Sequence, residues 1–169
     1  MTAVGAGQKI LADENNDLDA RKQIGYAHRG TTSTAASAAQ GVLRISSITL
    51  TFGRRYQIYT NTLIILPSVA NDRATARLSH TVNNTNAGTG STLMALFNTA
   101  VIASTSDGIS GSLIYTYTPA APGEILSVCL WTQRLAGTGN ISILGTVGAG
   151  IQIHVDCLGP DVADTGTDL

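Results

Sequence analysis

A chain of 169 residues with a formal net charge of −1, 12% charged and 43% hydrophobic, fits one domain with a sizeable core and excludes a disordered polypeptide. Its dense basic spots are Arg21-Lys22 and Arg54-Arg55, too little for a partner held by phosphate neutralisation, so nucleic acid is not expected. A surface this sparse in charge points instead to one partly buried against neighbours.

The first 40 residues differ from the rest. Met1 to Ile10 shows no basic stretch followed by an apolar core, so no secretory leader is expected there. Asp13 is a candidate N-cap for a short helix reaching about Lys22. Acidic residues come early and Arg21-Lys22 late, in accord with the helix dipole. The apolar residues of this stretch, Leu18, Ala20 and Ile24, with Ile10 and Leu11 before them, cannot build a core. The segment therefore needs a surface to lie on. Lys9, Ile10, Leu11, Leu18 and Ile24 are the candidate docking residues. Gly30 to Gly41 is a Thr/Ser/Ala run that reads as a flexible or extended linker.

From Val42 the pattern turns to strands. Leu43 and Ile45 alternate with Arg44 and Ser46, and Ile48, Leu50 and Phe52 with Thr49 and Thr51. The phase slips by one, which predicts a bulge near Ser46-Ser47. Gly53-Arg54-Arg55 reads as a turn, Tyr56 to Thr60 as a strand, and Leu63 to Leu66 as another ending at Pro67. Residues 73–82 alternate with Ala74, Ala76, Leu78, His80 and Val82 on one face, a half-buried strand. Residues 83–90 form a long polar loop. Residues 91–103 suit helix or strand; Val101-Ile102 favours strand. Asp107-Gly108 marks a turn. Further strands are expected at Leu113 to Thr118, Glu124 to Arg134, Ile141 to Val147 and Ile151 to Val155. Gly159 to Leu169 is an acidic, loose tail. Strands at this spacing predict an all-β fold, an antiparallel, jelly-roll-like β-sandwich over 41–158. An extended N-terminal arm over 1–40 would carry the short helix.

Chemistry-bearing residues are few. His154-Val155-Asp156 puts an imidazole and a carboxylate on one strand face, a pattern that can orient a base or hold a metal but more often makes a strand-end hydrogen bond. His80 lies on an apolar face, and His28 lies in the arm. Asp72, Asp107, Glu124 and Asp156 are the carboxylates of the strand region, a thin supply for a glycosidase pair. No Gly-x-Ser-x-Gly turn, phosphate loop or zinc spacing occurs. The expectation is no catalytic residue, no cofactor and no metal. Cys129 and Cys157 leave a disulfide open, with free buried thiols the alternative. Arg54, Arg55 and Tyr56 are candidates for a surface contact, and Tyr115 with Tyr117 for another or for cover of a sheet face.

Two stretches resemble a known family. Gly7-Gln8-Lys9-Ile10-Leu11-Ala12-Asp13-Glu14-Asn15-Asn16 is similar to the opening of many phage tail and appendage proteins. Ile153-His154-Val155-Asp156-Cys157-Leu158-Gly159-Pro160 resembles the closing strand of small minor tail proteins from phages of actinobacteria, with Asp156-Cys157 in place of its acidic pair. Gly53-Arg54-Arg55-Tyr56-Gln57-Ile58 and Asn71-Asp72 resemble its middle. The resemblance implies a non-enzymatic virion component, a minor tail or appendage protein or a capsid decoration protein. It would be assembled in the host cytoplasm and used in several copies. Implied partners are other virion proteins, the tail or the major capsid protein, and further copies of the chain, a trimer among the options. A carbohydrate- or receptor-binding module using loops 83–90 and 104–112 on a host surface glycan is a rival. So is a hydrolase built on His154 or His80. No membrane partner is expected, because the longest apolar runs fall far short of a span.

Overall fold

The computed structural model describes residues 22–106, 108–145 and 150–161. These residues form eleven strands: β1 (Gln23–Arg29), β2 (Gln40–Thr49), β3 (Arg54–Thr60), β4 (Leu63–Pro67), β5 (Arg73–Val82), β6 (Thr92–Asn98), β7 (Ile109–Gly111), β8 (Ile114–Tyr117), β9 (Ile125–Ala136), β10 (Ile141–Ile143) and β11 (Ile151–Pro160). Every strand pairing is antiparallel. Sheet A runs β1-β11-β3-β8, sheet B runs β10-β4-β7, and sheet C runs β2-β9-β5-β6. The backbone of Thr60 donates to Leu113 across the break between sheets A and B (2.9 Å), and Leu113 donates back to the Thr60 hydroxyl (3.0 Å).

One continuous core explains the sandwich. Tyr56, Ile58, Ile153 and Val155 from sheet A and Leu63, Ile65, Ile141 and Ile143 from sheet B pack in the same cluster as Ile45, Ile48, Leu78, Leu126, Val128 and Leu130 from sheet C. Alternation supplies this directly: in β3 and β11 every second side chain is buried, and β-branched residues fill those inward positions without loss of rotamer freedom that a strand has not already imposed. The slip between Ile45 and Ile48 is a register shift against β9. There Ser47 takes a positive φ of 61°, and its backbone N–H turns to the Ser127 hydroxyl (3.1 Å).

The expected division at residue 40 is corrected by the backbone. Gln23–Arg29 is not part of an arm but the outermost strand of sheet A, paired with β11. Its inward positions are Gly25 and Ala27, because β2 leaves no room for more: a Cβ on Gly25 would come within 2.9 Å of Ile48 Cδ1. The expected linker is likewise bonded to the body. Ser33 donates its backbone N–H to Ile143 O (2.9 Å), Ala36 and Ile141 exchange two backbone bonds, and Arg134 donates to Ser37 O. Small polar residues hold this run through the backbone, so the absence of apolar side chains does not free it. At the other end β11 continues to Pro160, and Asp161 donates to Gly53 O (2.7 Å). The expected helix from Asp13, and Lys9, Ile10, Leu11 and Leu18, lie outside the described residues, as do Asp107 and residues 162–169.

Candidate functional site

The outer face of sheet A gathers the polar and aromatic residues of four strands. Cross-strand partners share a face, so register alone builds three rows: Tyr26–His154–Tyr59–Ile114, Gln23–Asp156–Gln57–Thr116 and His28–Gln152. The central row is a stack of rings. Tyr59 lies parallel to His154 with centroids 4.8 Å apart, and Tyr26 tilts against the other side at 5.1 Å. The His154 imidazole is gripped at both nitrogens, Nδ1 by Gln23 Nε2 (2.9 Å) and Nε2 by Gln152 Oε1 (3.0 Å). This arrangement fits a ring that carries its proton on Nε2 and accepts at Nδ1.

Asp156 serves Tyr59, not His154. The Tyr59 hydroxyl donates to Asp156 Oδ2 (3.0 Å). Burial, then that hydrogen bond, then the carboxylate's charge push the phenol above its ordinary value. The His-x-Asp pattern therefore makes two structural contacts on one face rather than an oriented base. Among the described residues no group of three or more His, Cys, Asp or Glu is placed to hold a metal ion.

The remaining candidates are scattered. Tyr56 is 2% exposed. It faces the core, and its hydroxyl takes the Thr51 backbone N–H (2.7 Å), so it is corrected from a surface contact to a core residue. Arg54 and Arg55, its neighbours, stay at the surface. Arg54 donates to Cys157 Sγ (3.6 Å), and Arg55 lies 3.7 Å from Asp161. Ile24 lines a recess of about 340 Å³ with Lys22, Thr49, Thr51, Arg54, Tyr56 and Cys157. Tyr115 and Tyr117 point inward and pack against the core. Burial, then its bond to the Glu124 carboxylate, raises the Tyr117 phenol. Glu124 also takes the Ala120 backbone N–H (3.0 Å). His80 meets the Tyr117 ring edge-on at 5.3 Å, and burial pulls its imidazole below the ordinary value. Cys129 and Cys157 are free and buried; burial pushes the Cys129 thiol up.

Loop 83–91 is tied to the body of the protein, with Asn83 to Asn86, Thr89 and Gly90 left exposed. It folds over the outer face of sheet C. Ala87 is fully buried against Cys129 and Trp131. Ser79 donates to Gly88 O (2.8 Å), Ser46 to Thr85 O (3.0 Å) and Arg44 to Asn86 Oδ1 (3.4 Å). Arg77 lies 4.9 Å over the Trp131 ring, a cation–π contact. The carboxylate of Asp72 is as occupied as Glu124: it takes the backbone N–H groups of Thr138 (2.9 Å) and Gly139 (2.8 Å) and so closes the β9–β10 turn.

Two comparisons with known proteins returned nothing: no family model and no curated protein matches the chain. Among solved structures, the Eiger TNF from S. frugiperda is similar over 88% of this chain and 94% of its own, at 13% identity and a TM-score of 0.42. A likeness that distant carries no argument about activity, partners or assembly.

Proposed function

We propose that the chain is a non-enzymatic structural component of a tailed-bacteriophage virion, a minor tail or appendage protein with a jelly-roll-like body. It docks on a larger scaffold through residues ahead of Lys22. The observation that carries this reading is the point of attachment. β1 is an edge strand, and Lys22 before it is exposed, so the preceding sequence joins the body at a sheet margin. That sequence holds Lys9, Ile10, Leu11 and Leu18, whereas Ile24 belongs to the body. The arm expected over residues 1–40 is thus shortened to residues 1–21. Ordering it on a scaffold costs roughly 1–2 kcal/mol per residue of backbone entropy, which docked apolar contacts and backbone pairing must exceed.

The non-enzymatic reading is supported by what the polar groups do. Asp72 and Glu124 take backbone N–H groups, His154 is held by two glutamines and Asp156 takes the Tyr59 hydroxyl, and among the described residues no Ser, Thr or Cys side chain donates to any of the four. The test is substitution in the full chain, Ile10→Asp with Leu11→Asp. Thermal unfolding should be unchanged, and immunogold should label purified particles made with the wild-type protein but not those made with the variant. Label retained by the variant, or absent from particles with the wild type, would overturn the reading.

A further inference from the structure

We propose that the outer face of sheet A is a binding surface for a neutral oligosaccharide. This goes beyond the scaffold role and does not depend on the N-terminal residues. The charge pattern selects the ligand class. The three rows contain no Lys or Arg and a single carboxylate, Asp156, and the guanidinium beyond Gln57 on the same strand face, Arg55, lies 3.7 Å from Asp161, a balance that disfavours phosphates, sulfated chains and acidic peptides. They contain one aliphatic side chain, Ile114, at the far end, and beyond Asp156 on β11 the face adds only Leu158, 37% exposed. That is too little apolar surface for the core of an interface between two copies of a chain. What remains is a mixture of rings with groups that both donate and accept, which matches a polyol with apolar C–H faces and hydroxyl edges.

The face is also pre-organised. Tyr26 is 52% exposed and rests against an imidazole already fixed by Tyr59, Gln23 and Gln152. Rigid strands carry all of these residues, so little rotamer freedom is lost on binding. Each glutamine uses one amide atom on His154. Among the described residues the other, Oε1 of Gln23 and Nε2 of Gln152, makes no hydrogen bond. One is an acceptor and one a donor for sugar hydroxyls, on either side of the ring row.

The experiment is an NMR titration of the full chain, labelled with 15N, with malto-, cello-, manno- and chitohexaose and with a galacturonate hexamer, each to about 10 mM, a weak-binding range. At least one neutral hexasaccharide should shift amides of β1 and β11. Tyr26→Ala should weaken that binding by roughly tenfold, the loss of one ring contact. Leu96→Ala, on the opposite layer, and the Ile10→Asp/Leu11→Asp variant should bind as the wild type does, which separates this surface from the docking segment. No shift with any neutral sugar, binding of the galacturonate hexamer alone, affinity indifferent to Tyr26→Ala, or self-association that protects the face would each overturn the proposal.

Discussion

On the outer face of sheet C, loop 83–91 covers Cys129 and Trp131, leaving the indole 5% exposed; on the outer face of sheet A, no described residue covers Tyr26 or Ile114, which stay 52% and 62% exposed. Both faces carry aromatic rings with polar neighbours. In the first, a polar loop supplies Ala87 and carbonyl groups and turns the ring into a second small core. In the second, the polar groups grip a neighbouring ring and leave the outermost one in water. Buried aromatic area on a sheet exterior needs a cover from its own chain to count toward stability. Without one it is surface available to something else.

Trp131→Ala should give the largest effect. It removes the centre of the covered face and should cost about 3–4 kcal/mol, read as a lower urea midpoint with an unchanged slope. A loss no greater than that of Tyr26→Ala would erase the contrast. Next comes Ala87→Asp. A carboxylate forced against Cys129 and the indole should cost about 2 kcal/mol, with protease cutting inside 83–91 before the rest of the body. Intact protection of that loop in the variant would show that Ala87 does not hold it down. Ser79→Ala deletes the bond to Gly88 O and should cost about 1 kcal/mol, visible as faster amide exchange within the loop alone.

A smaller effect is expected at His80, on β5 of sheet C. Burial holds the His80 imidazole below its ordinary value, so the unfolded chain binds the extra proton more readily. The native state is therefore favoured above the unfolded value of about 6.5. That advantage is lost as pH falls through the lower folded value. Melting temperature should drop between pH 7 and pH 5, and the drop should shrink in His80→Gln. An equal drop in the variant would assign the dependence to other groups. Smallest of all, Tyr26→Ala should change stability by less than about 0.5 kcal/mol, because no described part of the chain closes over that ring.

The contrast also marks how far the amino-acid pattern could be read. The alternation of Tyr56–Thr60 and Ile151–Val155 marked them as strands, though it did not keep Tyr56 from being taken for a surface contact, and the phase slip at Ser46-Ser47 located a real bulge, because both follow from a side-chain period of two. Residues 73–82 read as half-buried, yet Thr75 and Ser79 on the other face are buried too. The folded-back loop meets Ser79 through Gly88 O and the Arg77 guanidinium meets the Thr75 hydroxyl, and no local period encodes either contact; a lone Ala87 in a run of Asn, Thr and Gly was the available sign. β1 was missed because Gly25 and Ala27 are small where β2 crowds them, which removes the apolar signal of a strand. The run 30–41 was read as loose because its anchoring bonds use backbone and Ser33, not hydrophobic side chains. The ring row escaped notice because Tyr26, Tyr59 and His154 are far apart in sequence and meet only through the register of three strands; only the His154/Asp156 spacing hinted at it, and toward a different chemistry.

Hydroxyl-radical footprinting of the isolated full chain, with each ring's oxidation rate normalised to the unfolded state, tests the covered-versus-open contrast most directly. Tyr26 should oxidise nearly as fast as in the unfolded chain, while Trp131 should be strongly protected. Comparable protection of the two rings, or a Trp131 that reacts as readily as Tyr26, would contradict the account.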